Sequence, residues 1–166
     1  MQLRAILPFL GSPVRHGSRV VGILVLALTS GGISAQVSHG VAVQIEVTGL
    51  RSARGQILAC LVSNAKAFPD CSKDANARKL AVPVRSGSQG PMVIDFGPMP
   101  VGTYAIALVH DENGNGRMDK RLFMPAEGYA FSRDAPVRMG PPSFSAASFR
   151  VEGQAVRHTV KMRYMF

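Results

Sequence analysis

The amino-acid sequence predicts an all-β protein, an antiparallel β-sandwich of about seven strands with one long loop after a central strand. Short apolar runs recur along the chain, several with the period-two alternation of half-buried strands. Segments rich in Gly, Pro and polar residues separate these runs and predict turns. No stretch repeats apolar residues at helical spacing, so no amphipathic helix is expected.

The first half of the predicted domain supplies four strands. Residues 41–47, VAVQIEV, alternate Val or Ile with other residues and predict a strand with one buried face. Residues 56–62, QILACLV, are more continuously apolar, as a more central strand is. Residues 80–84 contain Pro83, which lacks an amide hydrogen and favours an edge position. Residues 92–96 form the fourth strand.

The second half contains a central strand followed by a long irregular segment. Residues 104–110, YAIALVH, form the strand, and residues 148–152 and 158–166 close the chain as two more strands. Residues 111–147 hold few strand signals, and a connection of that length is usually functional or disordered. Its apolar residues predict that it packs on the sandwich. They are Leu122, Phe123, Met124, Tyr129, Phe131 and Phe144.

Residues 1–35 have the organisation of a secretory signal peptide. A basic, acid-free lead is followed by an apolar run over residues 20–28 and by small and polar residues ending at Ala35. That run is shorter than the roughly 20 residues that cross a bilayer, so cleavage is favoured over an uncleaved anchor. We therefore expect one mature domain, residues 36–166, in the periplasm or outside the cell. No later stretch is long and apolar enough to span a membrane.

The charge of the predicted mature domain argues against nucleic acid as a partner. It has 16 Lys and Arg against 10 Asp and Glu, a net charge of +6. These residues are spread along the chain, whereas nucleic-acid-binding proteins usually concentrate them on one face. A solvated surface is favoured over attraction to anionic envelope polymers, because scattered charge makes no focused field. An envelope polymer or another protein stays open as a partner.

The chain has two cysteines, Cys60 and Cys71. In an exported protein a pair of cysteines favours a disulfide. The alternative is one buried and one exposed thiol. No Cys-x-x-Cys or Cys/His cluster predicts zinc.

Residues 110–119, HDENGNGRMD, are the most chemically dense stretch of the chain, and their spacing resembles that of a calcium loop. Side-chain oxygens at alternate positions converge on one point, and Gly116 permits the sharp turn. The usual closing Glu is replaced by Leu122, and Glu127 is the candidate substitute. Neighbouring Lys and Arg lower the negative charge, so the expected dissociation constant is about 10⁻⁴ to 10⁻³ M. The candidate ligands are Asp111, Asn113, Asn115, Arg117 through its carbonyl, Asp119 and Glu127.

Two alternatives stand beside calcium. In the first, Asn-Gly turns and Asx hydrogen bonds hold the loop without metal. In the second, the protein is a metal-dependent hydrolase using His110, Asp111, Asp119 and Glu127. Because neighbours on a strand point to opposite faces, His110 and Asp111 are not expected to pair. No nucleophile or zinc-protease motif accompanies them, so we assign no catalytic residue and do not expect an enzyme.

Tyr129, Phe131 and Phe144 allow two interpretations. They could form an exposed surface for sugar or peptide, as in a carbohydrate-binding module. Anchoring of the long segment to the core is favoured, because exposed apolar patches are uncommon on monomers.

Three motifs in fixed order carry a resemblance to a known family. They are MPVGTYAIALVHDENGNGRMD (99–119), MPAEGYAFS (124–132) and GPPSFSAASF (140–149). Together they resemble the bacterial domain-of-unknown-function family 2141 (DUF2141), over roughly residues 40–164. The chain departs from that pattern at Met124 and Ala130, where Ile and Gly are usual, which could alter the packing of the long segment.

The resemblance implies an exported sandwich of immunoglobulin-like or transthyretin-like character and no assigned catalytic activity. The expected function is a non-enzymatic binding or structural module, with calcium as its candidate ion.

Overall fold

Two β-sheets face each other across an apolar core in the computed structural model, which describes residues 40–85 and 90–166. The predicted signal peptide, residues 1–35, lies outside the described residues. The described strands are β1 (Val41–Thr48), β2 (Gln56–Val62), β3 (Arg78–Pro83), β4 (Met92–Met99), β5 (Gly102–Asp111), β6 (Lys120–Arg121), β7 (Met124–Pro125), β8 (Gly128–Phe131), β9 (Phe149–Val151) and β10 (Val156–Lys161). Connections contain the short helix α1 (Phe144–Ala147) and the 3-10 turns Ala65–Ala67, Cys71–Lys73 and Ser132–Asp134.

The sheet order confirms an all-β sandwich. One sheet has the order β10-β1-β4, and the other has the order β3-β2-β5-β8, with β9 also pairing with β5. The described residues contain ten strands rather than about seven, because the segment after β5 adds the short strands β6, β7 and β8. Most pairs are antiparallel as predicted, but β1 and β10 run parallel. Strand β3 lies at a sheet edge, where Pro83 predicted it.

The main core lies between the two sheets. Strand β1 alternates as predicted, since Val41, Val43, Ile45 and Val47 are buried. From the facing sheet, Tyr104, Ile106 and Leu108 of β5 point into the same cluster. Period-two patterning therefore decides which face of each strand is buried.

The opposite face of β5 is covered by the long segment that follows this strand. Ala105 and Ala107 are small, which leaves room for the rings of Tyr129 and Phe131 to pack against them. Buried Ser132 holds this layer in place, because its hydroxyl accepts from the amide of Ile106 at 2.9 Å and donates to the carbonyl of Ala147 at 2.6 Å. Tyr129, Phe131 and Phe144 therefore pack the segment on the sandwich as predicted, but the prediction was wrong for Leu122, Phe123 and Met124, which are exposed because they lie on a hairpin that extends from the sandwich.

Cys60 and Cys71 form the predicted disulfide, with their Cα atoms 6.3 Å apart. The bond ties the 3-10 turn Cys71–Lys73 to strand β2 and is typical of an oxidising compartment. Among the described residues, no helix has the length and apolar character needed to cross a membrane.

Candidate functional site

Asp111 is the anchor of the polar loop that follows β5. Its side chain is 0% exposed and lies at the last position of the strand. One carboxylate oxygen accepts from the amides of Gly114 at 2.8 Å and Asn115 at 3.0 Å. The other accepts from Gly116 at 2.8 Å and from the side-chain amide of Gln56 at 2.9 Å. Four donors therefore converge on one buried carboxylate.

The pKa of Asp111 reflects these contacts. Burial acts to raise the pKa, but the hydrogen bonds from Gln56 and the three loop amides outweigh it, and the net shift is downward. All four donors are uncharged, so the ionised carboxylate is held by dipoles and not by a cation.

The middle of the loop is closed by side-chain amides. Asn113 and Asn115 donate through their Nδ2 atoms to one oxygen of Asp119, at 2.7 Å and 2.8 Å. These bonds lower the pKa of Asp119. Their Oδ1 atoms accept main-chain amides two residues further on, from Asn115 at 3.0 Å and Arg117 at 3.1 Å. These are Asx turns, and they curve the main chain around Asp119.

Gly116 makes the tight part of this curve possible. Its φ is +79°, in the left-handed region that residues with a Cβ adopt only at a cost. The calcium-loop pattern requires glycine at this position for the same reason.

Glu127 lies against the same loop. It is 5% exposed, and its two oxygens accept from the amides of Glu112 at 3.2 Å and Asp119 at 3.1 Å. Burial raises the pKa of Glu127, and the charges of Asp111 and Asp119 raise it further. The structure thus brings Glu127 to the two other predicted acidic ligands, across a hairpin that sequence spacing does not reveal.

The three predicted carboxylates lie against the same loop, but their side chains do not have the arrangement of a metal site as they stand. Among the described residues, no group of three His, Cys, Asp or Glu side chains has the arrangement of a metal site. The amides of Asn113 and Asn115 turn their nitrogens, not their oxygens, toward Asp119. A cation would need both amides to rotate, which would exchange their hydrogen bonds to Asp119 and to the main-chain amides for bonds to the ion.

A hairpin separates Asp119 from Glu127. Strands β6 and β7 pair Arg121 with Met124, and the amide of Ala126 donates to the carbonyl of Asp119 at 2.9 Å at the base. The two-residue turn places Leu122 and Phe123 at φ values of +48° and +68°. Such turns favour Asn-Gly, and each larger residue costs about 1–2 kcal/mol there.

Glu112, next to Asp111, belongs to a different set of contacts. Its carboxylate accepts from Arg51 Nε at 2.9 Å and from Ser52 Oγ at 2.6 Å, and it lies 2.5 Å from Arg51 Nη2. The hydrogen bond from Arg51 is the largest cause that lowers the pKa of Glu112 to about 2. The Arg51 guanidinium also stacks on the Tyr164 ring, 4.4 Å from its centroid.

His110 is part of this second network and is fully buried. Its Nε2 donates to the carbonyl of Arg54 at 2.9 Å, because a carbonyl can only accept. In the neutral imidazole with its proton on Nε2, Nδ1 accepts from the Tyr164 hydroxyl at 2.7 Å, and that hydroxyl also accepts from the amide of Arg51. Both ring nitrogens are occupied on the face opposite Asp111, and the catalytic set that included His110 is not brought together.

Sequence reasoning missed Gln56, Arg51, Ser52 and Tyr164. Gln56 meets Asp111 because the two residues are paired across β2 and β5. The Arg51–Glu112 contact joins residues 61 positions apart. The first contact depends on strand register and the second on how distant loops meet, and a single sequence supplies neither.

The aromatic residues of the long segment lie mostly inside the protein. Tyr129 and Phe131 are both 6% exposed. The Phe68 ring meets those of Phe131 and Phe144 edge to face, with centroids 5.7 Å and 6.1 Å apart. A carbohydrate-binding surface would need a flat, exposed ring at Tyr129 or Phe131, but both rings are buried.

The fold and this site define a class of protein, an all-β sandwich domain with a hydrogen-bonded acidic loop at the end of its central strand. The particular family follows from the sequence. Residues 45–159 match the family described as "Uncharacterized protein conserved in bacteria (DUF2141)", and the chain belongs to that family. The match includes the whole polar loop and Glu127, and it confirms the resemblance.

Comparison with curated proteins and with solved structures found no significant match.

Proposed function

We propose that this protein is an exported, non-enzymatic binding or structural module whose loop 111–119 binds calcium weakly, with Glu127 as the closing carboxylate. The observation that carries the proposal is the position of Glu127, which bonds to the loop amides of Glu112 and Asp119. Calcium takes about six to eight oxygen ligands. Three carboxylates, two amide oxygens and the Arg117 carbonyl are the donors available here.

The charge balance of the site supports a cation. Asp111 and Glu127 are buried, and neutral donors hold both. Arg51 and Arg54 pair with Glu112, and Arg117 lies 3.5 Å from Asp119, but within the described residues no salt bridge reaches Asp111 or Glu127. Buried negative charges without a cation favour binding one.

Binding would join two strands of the larger sheet. Asp111 ends β5, and Glu127 directly precedes β8. An ion held between them would fasten the start of the long segment to the sandwich, which is a structural role. Export is supported by the disulfide and by the signal-like residues 1–35.

The non-enzymatic part of the proposal is supported by His110. Its ring is used to join β5 to Arg54 and Tyr164, so it is not available to move a proton at Asp111 or Glu127.

Thermal melting of the full chain with calcium tests the proposal. A dissociation constant of about 1 mM predicts about 1.4 kcal/mol of stabilisation at about 10 mM calcium, a rise in Tm of about 3–8 °C. Magnesium should give a smaller rise, because it demands near-octahedral geometry and keeps its water. No rise with calcium would overturn the proposal.

Two variants locate the binding. Glu127→Gln removes the closing charge and should abolish the calcium-induced rise in Tm. Glu152→Gln is the matched control, because Glu152 lies just after β9, is exposed and pairs with Arg150 of that strand. It should keep the full rise. Melting of both variants in EDTA checks that each is folded, and an equal calcium response in both would place the ion elsewhere.

A further inference from the structure

The β6–β7 hairpin carries an exposed apolar tip formed by Leu122, Phe123 and Met124. Leu122 is 78% exposed, Phe123 is 99% exposed and Met124 is 38% exposed. Single exposed apolar residues are ordinary, but a consecutive run of them indicates a binding surface or an aggregation hazard. The hairpin tip is therefore a candidate interaction site.

The backbone holds these side chains outward against its own preference. Leu122 and Phe123 both have positive φ in a turn that favours glycine and asparagine. Strained positions of this kind cluster at functional sites. The turn therefore carries two large apolar side chains where glycine or asparagine is preferred, and the fold does not bury them.

Basic residues surround the tip. Lys120 and Arg121 directly precede it and are exposed, and the Arg117 side chain is 77% exposed. Residues 120–126 contain no acidic residue. Beside the hairpin, the Arg121 guanidinium lies over the half-exposed ring of Phe166, 5.8 Å from its centroid.

We propose that the hairpin tip inserts into the headgroup region of an anionic lipid bilayer. A convex apolar tip with a basic rim matches such a surface, where anionic headgroups cover an apolar interior. A stable protein interface buries about 800 Å² on each partner, more than this narrow tip can supply. A bilayer needs no complementary pocket.

The binding is weak and reversible, and it does not depend on calcium. A whole myristoyl chain gives an association constant of only about 10⁴ M⁻¹, and the tip offers less apolar surface. Anionic lipid is therefore required, and zwitterionic lipid should not suffice.

The absence of tryptophan from the chain allows a position-specific test. Phe123→Trp places a single tryptophan at the tip, which can be excited selectively. Val101→Trp is the control, because Val101 is 72% exposed just before β5, at the opposite end of that strand from Asp111. Both full-length variants are mixed in EDTA with vesicles of equal phosphatidylglycerol and phosphatidylcholine, with pure phosphatidylcholine vesicles, and with inorganic phosphate.

With the mixed vesicles, Phe123→Trp should show a blue-shifted emission that lipids brominated in the acyl chain quench. Val101→Trp should show neither change, which separates insertion of the tip from any binding through residues 1–35. Adding Lys120→Glu and Arg121→Glu to Phe123→Trp should weaken the response at least tenfold. No shift with mixed vesicles, or equal shifts in both variants, would overturn the proposal and leave a protein pocket as the receiver. A shift with phosphate alone would overturn it in favour of a soluble anion.

Discussion

Asp111 and Glu112 are adjacent carboxylates that the fold treats in opposite ways. Glu112 points to Arg51, and the cation compensates its charge. Asp111 points to Gln56 and three loop amides, which compensate it only through dipoles. This difference identifies the Asp111 carboxylate, and not the Glu112 carboxylate, as the one that a bound cation would compensate. The Glu112 side is an electrostatically complete contact, whereas the Asp111 side combines with Asp119 and Glu127 to leave excess negative charge.

The largest expected effect comes from Asp111→Ala. It leaves four donors without their acceptor, and the free energy of unfolding should fall by about 3 kcal/mol. Urea denaturation measures this change. Asp95→Ala is the control, because exposed Asp95 accepts two hydrogen bonds from the described residues, those of Gln44 and Gly97, and its loss should cost less than about 1 kcal/mol. Equal losses in the two variants would mean that Asp111 does not organise the loop.

Glu112 should produce a large pH dependence. Its pKa is lowered to about 2, so its contribution to stability is present above its ordinary pKa of 4.5 and is lost as pH falls toward 2. Glu112→Gln should lower stability at pH 7 by about 2 kcal/mol, a figure discounted because Arg51 is 38% exposed. Denaturation at pH 7 and pH 2 should show the difference vanishing in acid. A constant difference would contradict the ion pair.

Gly116→Ala separates backbone strain from ion binding. Its φ of +79° predicts a loss of about 1–2 kcal/mol, and an added Cβ meets no atom within 4 Å. Gly97→Ala is the matched control, with φ of +72° and equally open surroundings. Both variants should lose similar stability in EDTA, but only Gly116→Ala should also weaken the calcium response. An unchanged calcium response in Gly116→Ala would show that calcium does not bind at this loop.

The smallest expected effect on stability comes from Asn113→Asp. It removes an amide donor to Asp119 and adds a charge, so stability without calcium should fall by less than about 1 kcal/mol. Calcium affinity should rise several-fold, because ligand charge tunes such loops. Titration calorimetry measures the change. An unaltered affinity would show that residue 113 does not face the ion.

The sequence predicted the parts of the fold that depend on local patterns. Alternation predicted β1, and continuous apolarity predicted that β2 is an inner strand, which the sheet order confirms. Pro83 predicted that β3 is an edge strand, and the presence of two cysteines predicted the disulfide between them. The parallel pairing of β1 with β10 was not foreseen, because a single sequence carries no signal for pairing between distant strands.

The candidate site divides in the same way. The spacing from Asp111 to Asp119 and the turn at Gly116 are local properties, and the sequence by itself determined them. Only the tertiary structure decided that Glu127 returns to the loop, that Arg51 takes Glu112 away from it and that His110 faces Tyr164. The physical reason is that local sequence patterns determine how the backbone curves and on which face of a strand each side chain lies. The pairing of charged side chains depends on strand register and on the hairpin of residues 120–125, which brings Glu127 back to Asp119.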